Sequence, residues 1–277
     1  MIPLCDELNK KVILITGGNK GIGGGCAEAF CASGADVVIA ARDEDTGRTW
    51  AKELSRRGPG TCTFKRCDVS DHNQVGNLVD FTIKMFGKLD CTVNNAGYLP
   101  RRGPIDETSI EDFESVIRTN LIGLFAGCKY SLPHIRKTQG SIINISSILG
   151  QVGQKGSCMY AATKGAITSL TKSLAMDEAE NHVRVNVILP GNIKTDLGKG
   201  QRDPEGLSGE ASEKLSNHIQ WIRRVGKSIE IGWIAVFLAS SMASYITGAE
   251  INATGGFELG NGYRVEPDEI PKLVNGR

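Results

Sequence analysis

The stretch VILITGGNKGIG, residues 12–23, decides the fold, because a continuous β-branched run passes without pause into a turn carrying four glycines. Such a run reads as a strand buried on both faces, and over 21–33 the pattern changes to helical spacing. Outward from this unit the alternation repeats. Apolar runs at 11–15, 36–40, 61–66 and 89–93 are separated by amphipathic stretches at 21–33, 44–57 and 71–86. It continues as a helix near 110–129, a strand at 141–145, a helix at 157–178 and a strand at 184–189. Strands alternating with helices predict a doubly wound parallel sheet, and no linker interrupts the pattern, so one domain is expected.

Length and composition agree with this and exclude other classes. A chain of 277 residues lies near the upper limit of one hydrophobic core, and 40% apolar with 23% charged residues excludes disorder. The net charge of +1 offers no basic excess for nucleic acid or anionic lipid. Eight cysteines include no C-x-x-C pair and no histidine at zinc-ligand spacing, so no metal site is expected. The start MIPLCDELNKK shows no signal peptide, and no long uncharged apolar run suggests a membrane span. A cytoplasmic protein with reduced, mostly buried thiols follows. Two segments break the alternation. Residues 196–220, polar and Gly-rich, read as a mobile lid, and the main domain of 1–256 is followed by a C-terminal extension at 257–277.

Glycines at the carboxyl end of the first strand let backbone N–H groups and a helix N-terminus face a pyrophosphate, which predicts a dinucleotide cofactor on Gly17, Asn19, Lys20, Gly21, Ile22 and Gly23. A dinucleotide fold places an acid for the adenosine ribose after the second strand, and this position reads Ala41-Arg42. With Lys20, Arg42 would attract a 2′-phosphate that a carboxylate would repel, so NADP(H) is expected. Asp43 is the counter-argument: a shift of the strand end by one residue would restore NAD(H).

Tyr160 and Lys164, four apart in YAATK, share one helix face. A phenol titrates too high for proton transfer near neutrality, and a nearby ammonium would lower it. Ser147 follows the strand at 141–145, on the edge where open α/β sheets bind ligands, and could hold the reacting oxygen.

Together these residues resemble the short-chain dehydrogenase/reductase family, in its compact single-domain branch, over almost the whole chain. The family's cofactor glycines fall on Gly17, Gly21 and Gly23, its adenine-side pair on Asp68-Val69, and its N-N-A-G on 94–97, which includes Asn95, Ala96 and Gly97. The motif flanking the nicotinamide falls on Pro190, Gly191, Ile193 and Thr195. The resemblance implies a Rossmann-like domain with a mostly parallel seven-stranded sheet and helices on both faces. It implies a catalytic tetrad of Asn120, Ser147, Tyr160 and Lys164, with Asn120 anchoring a water relay and Lys164 binding the nicotinamide ribose. It also implies a homotetramer.

The runs SIINISSILGQVGQ and YAATKGAITSLTKSLAMDE resemble the family's hydroxysteroid dehydrogenases. The expected reaction therefore interconverts a secondary alcohol and a ketone, a hydroxysteroid first and a fucose-like aldose as the rival. A dinucleotide sensor without turnover would leave the tetrad unexplained. Leu99, Gln154, Ser147 and Tyr160 are the expected substrate contacts, with Met159 and Trp221 as possible apolar walls.

Overall fold

The computed structural model describes residues 6–195 and 220–259. The expected lid at 196–220 lies outside the described residues except for Gln220, and the extension lies outside them beyond Leu259.

Seven parallel strands form one sheet: β1 (Val12–Thr16), β2 (Asp36–Ala41), β3 (Thr61–Arg66), β4 (Cys91–Asn94), β5 (Ser141–Ile145), β6 (Arg184–Pro190) and β9 (Glu250–Ala253). Their order is β3-β2-β1-β4-β5-β6-β9. Two short strands, β7 (Ile193–Lys194) and β8 (Gly226–Lys227), pair apart from it. The chain leaves β1 in opposite directions through β2 and β4, so the loops after these strands part and open a crevice at the carboxyl edge.

Alternation along each strand supplies two cores. Ile13 and Ile15 of β1 join Val37 and Ile39 beneath α1 (Gly21–Ala32), α2 (Glu44–Arg57) and α7 (Ser228–Ala239). Val12 and Leu14 join Val38 and Val187 beneath α3 (His72–Phe86), α5 (Gly123–Thr138) and α6 (Cys158–Asp177). The strands are apolar throughout because both faces are covered. Asp43 and Asp71 cap α2 and α3 by accepting from the N–H groups of Thr46 and Asn73.

The structure departs from the sequence reading in three places. The helix expected over 110–129 is α4 (Ile110–Ile117), a π-helical turn at Arg118–Ile122, and α5, which runs past Pro133 to Thr138. The helix α7 was not anticipated, because SIEIGWIAVFLA is apolar almost all round and shows no amphipathic period. Cys158 is exposed, whereas Cys26, Cys31, Cys62, Cys67, Cys91 and Cys128 are buried. Among the described residues no helix is long and apolar enough to cross a membrane.

Helices α1 and α7 touch backbone to backbone. A Cβ on Gly232 would lie 2.4 Å from the Gly25 carbonyl oxygen and 2.9 Å from the Ala29 Cβ. Gly232→Val should therefore lose about 1–3 kcal/mol or more through overpacking, read as a lower denaturant midpoint at unchanged m. An unchanged midpoint would show that the contact is dispensable.

Candidate active site

The expected site residues gather at the carboxyl edge of the sheet, because each follows a strand end: Gly17 after β1, Arg42 after β2, Asp68 after β3, Asn95 after β4, Ser147 after β5 and Gly191 after β6. The first two loops are tied to their neighbours by the backbone. Gly17 N–H donates to the Ala40 carbonyl at 2.7 Å, and Thr16 Oγ1 accepts from the N–H groups of Asn95 (3.0 Å) and Ala96 (3.1 Å). Asn95 Nδ2 returns bonds to the carbonyls of Thr16 (2.9 Å) and Gly17 (3.1 Å). Glycine is required here by that contact, since a Cβ on Gly17 or Gly23 would lie 2.8 or 2.4 Å from Asn95 Nδ2.

The loop fits a dinucleotide pyrophosphate. Lys20 precedes α1 without a side-chain cap, no acid lies in the first turn, and the first-turn N–H groups remain for an anion. Asn19 Nδ2 donates to Thr46 Oγ1 at 2.8 Å, holding the loop against α2. Around the adenine side, β2 ends at Ala41, leaving Arg42 exposed. Asp43 is occupied as the α2 cap: bonds from Thr46 hold its carboxyl below the usual range, and Lys20 nearby acts in the same direction. Asp68 accepts from the Ser70 N–H and hydroxyl, which shapes the turn after β3, and Val69 is buried beside it. Gly191 N–H donates to the Ala253 carbonyl, Ile193 packs on the core, and Thr195 lies 3.5 Å from where a Gly21 Cβ would be.

The tetrad residues come from four elements. Asn120 is 1% exposed within the π-helical turn, and its side chain pairs reciprocally with the backbone of Tyr98, accepting from the N–H and donating to the carbonyl at 2.9 Å each. Both of its polar atoms are thus engaged in fixing the loop after β4. A Cβ on Gly97 would lie 3.1 Å from Asn120 Oδ1 and 3.9 Å from Lys164 Nζ, so Gly97 fills the space between them. Lys164, 4% exposed, donates from Nζ to the Ile145 carbonyl at 3.0 Å. Its own carbonyl accepts from Ser146 Oγ at 2.7 Å. Ser147 follows in extended backbone, where its Oγ accepts from the Leu149 N–H at 3.2 Å and acts to lower the Tyr160 pKa.

The electrostatics correct one expectation. Burial pushes the Tyr160 phenol up to about 12, opposed by the Ser147 side chain, rather than the lysine pulling it down. Lys164 Nζ stands 5.5 Å from the Tyr160 ring centroid, and burial lowers its own pKa to about 8. Desolvation disfavours both charged forms and here outweighs the attraction expected of the pair.

Leu99 is half-buried, and Gln154 is exposed, where it accepts from Ser157 Oγ at 3.0 Å. Met159 is buried and Trp221 exposed. Thr16 and Ser146 were missed as organisers of the site, although each sits at a strand end beside a motif residue. A cavity of about 810 Å³ lies at the opposite edge of the sheet, against Glu7, Lys11, Asp90, His182, Arg184 and Tyr245, and none of the expected site residues lines it.

This constellation at the crevice of a doubly wound sheet defines an oxidoreductase of CH–OH groups that uses a nicotinamide dinucleotide. Residues 17–258 match the family described as Enoyl-(Acyl carrier protein) reductase, and the chain belongs to the short-chain dehydrogenase/reductase family. It is 45% identical over 268 residues to L-fucose dehydrogenase of Bos taurus, covering 94% of this chain and 95% of that one. It is 46% identical over 274 residues to L-fucose dehydrogenase of Oryctolagus cuniculus, covering 94% and 93%. The crystal structure of levodione reductase superimposes with a TM-score of 0.87 at 29% identity, covering 92% of this chain and all of that one.

Lys164 sets a stability window. The unfolded lysine keeps its proton to about 10.5 and the folded one to about 8, so between these values the unfolded chain binds more protons and stability rises with pH. Below pH 8 the buried charge is a cost. Lys164→Met should therefore gain stability relative to wild type below that pH, and this gain should shrink by on the order of 3 kcal/mol as pH rises through the window. Denaturant titrations of both proteins at several pH values measure it, and a constant difference would refute the burial of a titrating amine.

Proposed function

We propose that the chain is an NADP(H)-linked dehydrogenase of an aldose close to L-fucose, oxidising the C1 hydroxyl of the ring to a lactone. The observation that carries this reading over a hydroxysteroid substrate is the 45% and 46% identity, along nine-tenths of the chain, to proteins named as L-fucose dehydrogenases. The resemblance of the runs around Ser147 and Tyr160 to hydroxysteroid dehydrogenases belongs to the shared catalytic frame, while substrate choice rests on other segments.

Held by the glycine loop of 17–23 and by Lys164, the oxidised dinucleotide would supply the acceptor for the hydride of the C1–H bond. Tyr160 Oη takes the hydroxyl proton in that direction and returns it in the other. Ser147 Oγ hydrogen-bonds the reacting oxygen and Tyr160 together. Lys164 binds the nicotinamide ribose and, when charged, favours the phenolate. Asn120 holds the Tyr98 loop that borders the reacting atoms. For cofactor choice, Ala41 offers no acid, Asp43 is occupied as a helix cap, and Arg42 with Lys20 suits a 2′-phosphate. Exposed Ile122, Phe125 and Trp233 give the protein apolar faces that assembly into a cytoplasmic homotetramer would cover.

A turnover panel of L-fucose beside a hydroxysteroid, followed by nicotinamide absorbance, tests the substrate class; steroid turnover without sugar turnover would reverse it. In Tyr160→Phe, kcat should fall by about two to four orders of magnitude while the cofactor Kd is kept. Near-normal kcat would remove Tyr160 from the proton transfer. Arg42→Asp should shift the ratio of kcat/KM values from NADP(H) toward NAD(H), and a wild-type preference for NAD(H) would refute the 2′-phosphate assignment.

A further inference from the structure

The loop after β4 is fixed at both ends to the catalytic elements. At Tyr98 it is held by the Asn120 side chain, and at Gly103 its N–H donates to the Gly156 carbonyl at 3.1 Å, just before α6 and Tyr160. A substrate whose oxygen lies between Ser147 and Tyr160 therefore has this loop along its flank. The two clipped loops carry Arg101 and Arg102 on one side and Lys155 on the other. None of the three makes an ion pair among the described residues, although Arg57, Arg136 and Arg224 elsewhere sit on carboxylates. Asp106 and Glu107, the acids next along the chain, form no ion pair with them either.

Arg102 is the informative member. It is half-buried, and its Nε is shielded from solvent with no hydrogen-bond acceptor. An orphaned guanidinium N–H is costly, and the planar fork suits a carboxylate or phosphate. At the adjoining turn Ser157 spends its hydroxyl on Gln154, so the first turn of α6 has no side-chain cap. Among the described residues these three cations have no counter-charge, one of them has an unsatisfied buried donor, and they sit on the clipped loops that follow β4 and precede Tyr160.

We propose that Arg101, Arg102 and Lys155 form an anion subsite, and that the preferred substrate is a sugar carrying a carboxylate or phosphate away from the reacting carbon. This deepens the aldose reading and rests on it. Arg102 binds the anion in bidentate fashion, and Arg101 and Lys155 add attraction from the rim.

L-Fucose, L-galacturonate and L-galactose 6-phosphate share one ring stereochemistry and differ at C6. The kcat/KM of one charged sugar should exceed that of L-fucose by about tenfold or more and fall as salt rises. The carboxylate and phosphate arms tell which anion is meant. In Arg102→Gln, and separately in Lys155→Met, the ratio of charged to neutral kcat/KM should drop, by about tenfold for the arginine. Turnover of L-fucose with no advantage for either charged sugar overturns the subsite and leaves the aldose reading standing. If no sugar turns over, the aldose reading fails and calorimetry decides the subsite. Titrating the NADP(H)-loaded protein with L-galacturonate and with inorganic phosphate should then give binding that Arg102→Gln weakens; binding of neither, or binding insensitive to the substitution, overturns it.

Discussion

The knot between Thr16 and Asn95 is the constraint on which the rest of the site depends. One hydroxyl accepts two consecutive N–H groups of the loop after β4, and one side-chain amide returns two bonds to the carbonyls that begin the glycine loop. These four bonds fix the two sides of the crevice where the chain reverses direction across the sheet. They also exclude side chains from Gly17 and Gly23. From Asn95 the backbone passes to Gly97, whose lack of a side chain makes room for Asn120 and Lys164, and then to Tyr98 in the grip of Asn120. The glycine loop and the expected tetrad are thereby linked by one short run of chain.

Asn120 reaches that position because the helix around it is not regular. Across Arg118–Ile122 the backbone widens into a π-helical turn between α4 and α5, which alters the direction in which the side chains of that turn project. Such widened turns occur frequently at functional sites, since they cost backbone hydrogen-bond geometry that packing alone would not select. Here the cost is offset by the two bonds from Asn120 to Tyr98 in an interior where an unpaired amide would be expensive. Nearby, Asn94 donates to Asn144 at 3.0 Å and Asn144 to Thr171 at 2.9 Å, joining β4, β5 and α6 by polar contacts inside an otherwise apolar layer.

The strands and most helices were legible in the sequence because burial on both faces of a parallel sheet leaves uninterrupted β-branched runs, while half-buried helices show their period. For the same reason α7 was illegible: covered by α1 on one side and apolar on most others, it has no polar face to mark a period. The helix read near 110–129 ends short of its observed length, since α5 continues through Pro133 to Thr138. Within the site, residues in spaced motifs could be read, including Gly17, Tyr160 and Lys164. The Ile145 carbonyl that holds Lys164 could not, because every residue has a carbonyl and only the tertiary structure selects one. The pKa of Tyr160 was misread for a related reason. A four-residue spacing reports the neighbouring charge but not the desolvation, and desolvation is the larger effect.

Division of labour between strand ends and loops explains why reaction class was easier to derive than substrate. The residues proposed for the cofactor and for proton transfer are attached to strand ends or to a long helix packed on the sheet, so their geometry follows from the fold. The proposed substrate side includes 98–103 and 151–157, which among the described residues are joined by the backbone hydrogen bond between Gly103 and Gly156. Loops held this lightly can change side chains without disturbing the sheet, and specificity in such folds resides where the scaffold constrains it least. Charge is then the most readable property of those loops. A neutral ring presents its hydroxyls to any adaptable polar wall, whereas Arg101, Arg102 and Lys155, which have no ion-pair partner among the described residues, would on the proposed reading favour an anionic substrate group.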